Sequence, residues 1–234
     1  MTWLSEFVES CSSLDEDTRE AYWARGVSDE QIEALKLGYS NGELPEGIDF
    51  PDGFRKWSHS GAKLKNSFVL PLTNPLGEIL GFQFRSVVRE ERGYLDYFFS
   101  RAEPVLLGLG QAIPAIWESK TICFVEGGFD YFPVQRVWPY TVPTLTAKVD
   151  ELLLRWLHRM VRKVVLFYDS DKAGQSASND FLKSYGSKFE VKLLEYPRGV
   201  KLATGKPVKD PAELWEALGD DRLSSYLTQQ LKDD

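Results

Sequence analysis

Cysteine and histidine are scarce in this chain. Among its 234 residues Cys11, Cys123, His59 and His158 are the whole supply, and they are scattered singly. That scatter excludes a disulfide framework and a four-ligand zinc module, and it fits a reducing, cytoplasmic setting. Long apolar runs are missing as well. Nothing approaches the ~20 residues of a membrane-spanning helix, so no membrane is expected as a partner. The opening MTWLSEFVES has neither a basic nor an apolar leader region, so no signal peptide is expected. Internal repeats and low-complexity tracts are absent. At 43% hydrophobic residues the chain can bury one large core or two intimate small ones.

Positive charge is short overall, with a net of −7, which taken evenly would disfavour a nucleic-acid partner. It is not spread evenly. Residues 1–52 hold three Lys/Arg against thirteen Asp/Glu, net −10; residues 53–101 hold eight against four, net +4. The remainder is near neutral. The basic block contains Lys63, Lys65 and Arg85, interleaved with Trp57, Phe82, Phe84, Tyr94 and Tyr97, aromatics suited to stacking on bases. The competing reading makes those rings strand core and those charges a solvated face.

What the chain does have is carboxylates placed at the ends of apolar strands. In TICFVEGGFD the run Ile122 to Val125 reads as a strand buried on both faces, delivering Glu126 to a Gly-Gly turn. Gly127 and Gly128 permit a tight turn and a close approach of phosphate to the backbone. Asp130 follows four residues after Glu126, either near the metal or merely capping a helix. In VVLFYDSDKAG a second apolar strand, Val164 to Tyr168, delivers Asp169 and Asp171, alternate residues that can face one side. In open α/β sheets ligands bind beyond the carboxyl ends of the strands, where both motifs fall. Converging carboxylates repel one another unless a hard divalent cation such as Mg²⁺ neutralises them.

The coarse element pattern agrees. Residues 2–36 read as helical, with Gly26 closing one helix and Ser28 capping the next. Residues 40–62, rich in Gly, Pro and Ser, read as a loop. Strands are expected near 67–72 and 78–85, joined by the turn Asn74-Pro75-Leu76-Gly77. A helix near 111–118 leads to strands near 121–126, 141–145, 163–168 and 189–195, alternating with helices near 147–160 and 173–185, the pattern of a parallel sheet. Two short helices near 211–218 and 220–231 close the chain. Expected domains are 1–118, an α+β subdomain; 119–200, the parallel-sheet domain; and 201–234, a tail with an abbreviated helical segment.

The Glu-Gly turn followed by Asp-x-Asp resembles the Toprim domain of bacterial DnaG-type primases, topoisomerases, OLD-type nucleases and RecR-like proteins. VKDPAELW is similar to a third Toprim element and supplies Asp210, although the family's second Asp there falls on Ala212. Three segments ahead of it, YWARGVSDEQIEALKLGYS, SFVLPLTNPLGEILGFQFRS and YFFSRAEPVLLGLGQAI, resemble the DnaG primase core and come in its order. The likeness runs over about residues 20–218. It departs at Ser67, where the family has a basic residue, and at TLTAKVD, which lacks the family's glycine. A haloacid-dehalogenase-type phosphatase also has Asp-x-Asp after a strand, but Ala173-Gly174 and the Glu126 turn fit Toprim better.

The resemblance implies an α/β fold: a Rossmann-like Toprim parallel sheet flanked by helices, preceded by a smaller basic α+β subdomain. It implies RNA primer synthesis on single-stranded DNA from ribonucleoside triphosphates, using two Mg²⁺ (or Mn²⁺) ions and no zinc. One ion would activate the attacking 3′-hydroxyl while the other neutralises the triphosphate. Asp169, Asp171 and Asp210 are the expected ligands, with Glu126 either a ligand or the general base. Lys63, Lys65, Arg85 and Lys172 are the expected phosphate contacts for template or nucleotide. Lacking the zinc module and helicase motor of longer primases, the chain is expected to need a replicative helicase or a separate template-recognition protein. A phage or plasmid would suit so small a primase. The alternatives are a Toprim nuclease using the same ions, or a non-catalytic subunit that binds nucleic acid or a partner.

Overall fold

The computed structural model describes residues 3–59, 64–88, 94–98, 103–146 and 148–232. It resolves into two compact units, Met1–Gly110 and Gln111–Asp234. The first begins with three short helices, α1 (Trp3–Cys11), α2 (Glu16–Trp23) and α3 (Asp29–Leu35). Each start and stop is written locally. Asp15 caps α2, Gly26 sits at φ +78° past its end, and Ser28 and Gln31 form a capping box at α3. Next come β1 (Gly38–Asn41), α4 (Asp52–His59), β2 (Lys65–Thr73), β3 (Ile79–Ser86), β4 (Tyr94–Phe98) and β5 (Leu106–Leu107). The strands form one antiparallel sheet in the order β1-β2-β3-β4, with β5 pairing β2 beyond β1.

The β2–β3 turn works as its residues demand. Asn74 Oδ1 accepts from the backbone N–H of Leu76 and Glu78 at 3.0 and 2.9 Å, and Gly77 takes the left-handed φ of +82°. Phe7 of α1 packs on Phe82 and Phe84 of β3, with ring centroids at 5.1 and 6.3 Å, and on Phe50 and Phe54. Tyr22 is fully buried against Phe68 and donates to Gly38 O at 2.6 Å. The helix α4 corrects the expectation of a loop over 40–62. Gly53 and Ser58 are weak helix formers, so its sequence is unconvincing. Burial of Phe54 between Phe7 and Phe50 stabilises it from outside.

The second unit is a parallel sheet. Its elements are α5 (Leu109–Ser119, begun in the first unit), β6 (Thr121–Val125), α6 (Gly128–Val137), β7 (Thr141–Pro143), α7 (Glu151–Leu157), β8 (Lys163–Phe167), α8 (Lys172–Tyr185), β9 (Glu190–Leu193) and α9 (Pro211–Lys232). Strand order is β7-β6-β8-β9, and every pairing is parallel. The two central strands are buried end to end: Ile122 to Val125 and Val164 to Phe167 are at most 1% exposed. Helix α6 is buried from Gly128 to Val134 despite its interior Pro133, and α9 kinks at Gly219, where φ is +73°. This alternation of strand and helix matches the α/β class read from the sequence.

Candidate active site

Strands β6 and β8 are hydrogen-bonded neighbours with Val125 opposite Phe167, so their exits lie side by side. Glu126 is the first residue past β6, and Asp169 is the second past β8. Asp171 caps α8, its Oδ1 accepting from Ala173 N and Gly174 N at 2.8 and 2.9 Å. Helix α8 can start this close only because residue 174 is glycine: a Cβ there would stand 2.2 Å from the Asp169 carbonyl oxygen. Asp210 caps α9 in the same manner, accepting from Glu213 N at 2.7 Å, with Pro211 as the first helical residue. The loop carrying Asp210 is tied to the β8 exit by Ser170 N, which donates to Lys209 O at 2.7 Å. Glu126, Asp169, Asp171 and Asp210 are thus brought to one end of the sheet.

Asp130 does more than cap its own helix. Its Oδ2 accepts from Gly127 N at 2.9 Å and its Oδ1 from Ala212 N at 3.2 Å. One carboxylate therefore ties the turn behind Glu126 to the first turn of α9, behind Asp210. A Cβ on Gly127 would meet Asp130 Oδ2 at 2.5 Å, so the glycine makes room for the clamp. Ala212 takes part through its amide, a contribution no side-chain pattern announces. Glu213 bonds back to its own loop, its Oε2 accepting from Lys209 N at 3.0 Å, and burial together with the neighbouring Asp210 raises its carboxyl.

The electrostatics are those of crowded acids. Burial, then the neighbouring Glu126, Asp210 and Asp171, raise the Asp169 carboxyl to about 7, with Lys209 opposing. Burial and Asp171 raise Glu126. Asp130 lies well above the usual carboxylate range because it is buried beside Asp210 and Asp169, two backbone hydrogen bonds notwithstanding. Glu126 Oε2 and Asp169 Oδ1 are buried with no hydrogen-bond partner. Orphaned acceptors of this kind are costly unless something positive meets them. An all-oxygen set with unspent lone pairs suits a hard divalent cation. Among the described residues no three acidic, His or Cys side chains stand at the spacing one ion needs.

The expected basic contacts fare differently. Lys172 is exposed at the first position of α8. Lys65 is exposed at the start of β2, and Arg85 is half-buried on β3 opposite Phe68; both belong to the first unit. Lys63 lies outside the described residues. Sequence reasoning missed Lys209 and Tyr196. Lys209 acts on Asp169 and places Nζ 3.8 Å from both Asp210 and Glu213; its position beside Asp210 was the available signal. Tyr196 buries an unpartnered hydroxyl close to Asp130, Asp169 and Asp210, its ring 5.0 Å from that of Phe167. No motif announces it.

Comparison with known proteins agrees with this geometry. A family model described as Toprim-like matches residues 123–213, from within β6 to Glu213. The DNA primase of Thermotoga maritima is 28% identical over 223 residues, covering 87% of this chain and 38% of the relative. That of Lactococcus lactis is 23% identical, covering 81% and 33%. The chain spans only about a fifth to two fifths of the length of the curated relatives it matches. Among solved structures, the zinc-binding and RNA polymerase domains of Aquifex aeolicus primase superpose with a TM-score of 0.74 at 21% identity, covering 99% of this chain and 60% of that one. A DnaG primase catalytic domain bound to single-stranded DNA gives 0.76 at 17% identity, covering 98% and 79%. Residues 123–213 thus match a Toprim-like family model, and the chain as a whole has the fold seen in solved DnaG primase catalytic cores.

Proposed function

We propose that this chain is the catalytic core of a primase, joining ribonucleotides into short primers on single-stranded DNA. The observation that carries the reading is the meeting of Glu126, Asp169, Asp171 and Asp210 at one sheet end, with two buried carboxylate oxygens left unpartnered. Asp169, Asp171 and Asp210 would hold Mg²⁺ or Mn²⁺, and Glu126 either joins them or takes the proton of the attacking hydroxyl. Two such ions supply charge neutralisation at the attacking and leaving oxygens of an in-line displacement. The protein's own share is positioning. Asp130 fixes the spacing of the Glu126 turn and the Asp210 helix, and Gly174 lets α8 bring Asp171 up to Asp169. Lys209 and Lys172 offer positive charge beside the cluster for the triphosphate, while Lys65 and Arg85 are assigned to the template backbone, as is Lys63.

A replicative helicase or a separate template-recognition protein is the partner proposed to take part in template choice. The test is incubation with labelled ribonucleotides, mixed single-stranded templates and Mg²⁺ or Mn²⁺, with Asp169→Ala beside the wild type. Oligoribonucleotides that vanish in the variant support the primase reading. Metal-dependent cutting of the template would move the assignment to a nuclease built on the same carboxylates.

A further inference from the structure

The parallel sheet has a second end, and its chemistry is the reverse of the first. Trp117 and Lys120 come just before β6, and Arg155, Trp156, Arg159 and Arg162 come just before β8. Because β6 and β8 are parallel neighbours, these residues share the edge where the strands enter. Arg162 N and Lys163 N both donate to Lys120 O, at 2.8 and 3.1 Å, and hold the two segments together. Five residues of strand at about 3.3 Å each put roughly 17 Å between this edge and the carboxylates.

A hollow of about 350 Å³ opens here, lined by Trp117, Trp156, Met160, Arg155 and Arg159, with no acid among them. Trp117 is 62% exposed, far more than a structural indole needs, and the Lys120 ammonium lies 3.9 Å from its ring centroid. Arg155 is shared with a second hollow of about 380 Å³, where His158, Lys188 and Tyr185 stand, together with one acid, Glu151. Arg155 thus lines both hollows, and basic side chains stand beside aromatic rings in each, in a chain whose net charge is −7. Burial does not account for this: Arg155, His158, Arg159 and Lys188 are all exposed.

We propose that this edge is a second contact for single-stranded nucleic acid, remote from the catalytic carboxylates. Trp117 and Trp156 stack on bases, and Arg155 and Arg159 hold the phosphates between them. Rings that accept any base and cations that follow the backbone make a sequence-tolerant platform. Choosing a nucleic acid over another polyanion rests on the primase reading; the charge and the rings rest on the structure alone. The platform would hold template strand away from the active site, so that the enzyme stays on its template between synthetic events.

The test uses the whole chain and a mixed-sequence DNA strand of roughly 16 nucleotides, within the site sizes such platforms cover. Binding is read by fluorescence anisotropy across a salt series. Arg155→Glu with Arg159→Glu is expected to weaken binding roughly ten-fold and to reduce the salt slope by about 1.4, two phosphates' worth. Trp117→Ala is expected to weaken it roughly five-fold and to remove quenching of tryptophan fluorescence. Photocrosslinking through 5-iododeoxyuridine is expected to label peptides containing Trp117 or Trp156. All three side chains are exposed, so melting temperature should hold in every variant. Unchanged affinity and slope in the double variant would overturn the proposal. So would polyglutamate competing as well as DNA at equal charge, which would make the edge a site for an acidic protein. Asp169→Ala separates this inference from the primase reading: it should stop synthesis yet bind the strand as the wild type does.

Discussion

Where β6 and β8 leave the sheet, Glu126 and Asp169 are crowded by Asp130, Asp171 and Asp210; where the same strands enter it, Trp117, Lys120, Arg159 and Arg162 stand instead. Both ends belong to the same pair of parallel strands, but the degree of burial differs. At the exit, carboxylates are drawn inward by caps and by the Asp130 clamp, so each raises the cost of ionising the next. At the entrance, the cations are solvated and repel one another weakly. A crowded, half-buried site stores a tension that a bound cation can release, whereas an exposed one offers only attraction. The first arrangement suits chemistry and the second suits holding.

The largest expected effect comes from removing charge at the exit without disturbing its shape. Asp171→Asn keeps a good cap acceptor on α8 but withdraws a proposed metal ligand. Primer synthesis should fall on the order of 10³-fold, about 4 kcal/mol, with little change in melting temperature. A fall below ten-fold would remove Asp171 from the metal site.

Next in size is the packing that makes the crowding possible. Gly174→Ala drives a methyl group into the Asp169 carbonyl and should cost about 3 kcal/mol, seen as a melting temperature roughly 6–12 °C lower. Asp130→Ala strands the amides of Gly127 and Ala212 and should cost about 2 kcal/mol. It should also loosen Mg²⁺ affinity measured by calorimetry, since two ligand loops lose their common tie.

A smaller effect reads the tension directly. The Asp169 carboxyl sits near 7 when folded and near 4 when unfolded, so the folded state holds the proton more tightly between those values. Its contribution to stability is full below pH 4 and is lost as pH rises through 7. In the presence of a chelator the melting temperature should therefore fall between pH 5 and pH 8. Asp169→Asn should flatten that slope and raise stability at pH 8 by about 1 kcal/mol, a modest figure because the group is partly solvated. Excess Mg²⁺ should oppose the fall, and metal-dependent synthesis should rise with pH as Asp169 gives up its proton. The smallest effect belongs to Glu213→Gln. Its carboxylate accepts from Lys209 N and stands beside Asp210 without being an expected ligand, so synthesis should change less than about two-fold.

Much of the carboxylate-bearing end could be read from the chain because buried parallel strands advertise themselves. TICFV and VVLF are continuously apolar, and whatever follows such a strand in an open α/β sheet lies at the ligand-binding edge. Glu126, Asp169 and Asp171 were therefore placed by position alone, and Asp210 by resemblance of its segment. Asp130 was legible only as an alternative, cap or site; the structure shows it capping α6 and also accepting from Ala212 N of α9. Helix α4 was hidden because Gly53 and Ser58 argue against it, while Phe54 argues for it only once Phe7 and Phe50 are known to lie beside it.

By itself the sequence determined where β2, β3, β6 and β8 run, though not β1, β4 or β5, which turns need Asn74, Gly77 or Gly26, and which acids stand past β6 and β8. Those are local matters, set by hydrophobic period, cap chemistry and the sign of φ. Tertiary structure alone decided that Ala212 would serve the site through its amide, that Tyr196 would bury its hydroxyl near three carboxylates, and that Glu213 would turn to Lys209. It also decided that Trp117 and Arg159, 42 positions apart, would line one hollow. Such outcomes depend on which distant segments share a burial, and pKa shifts follow from that sharing, since desolvation and charge proximity have no one-dimensional counterpart.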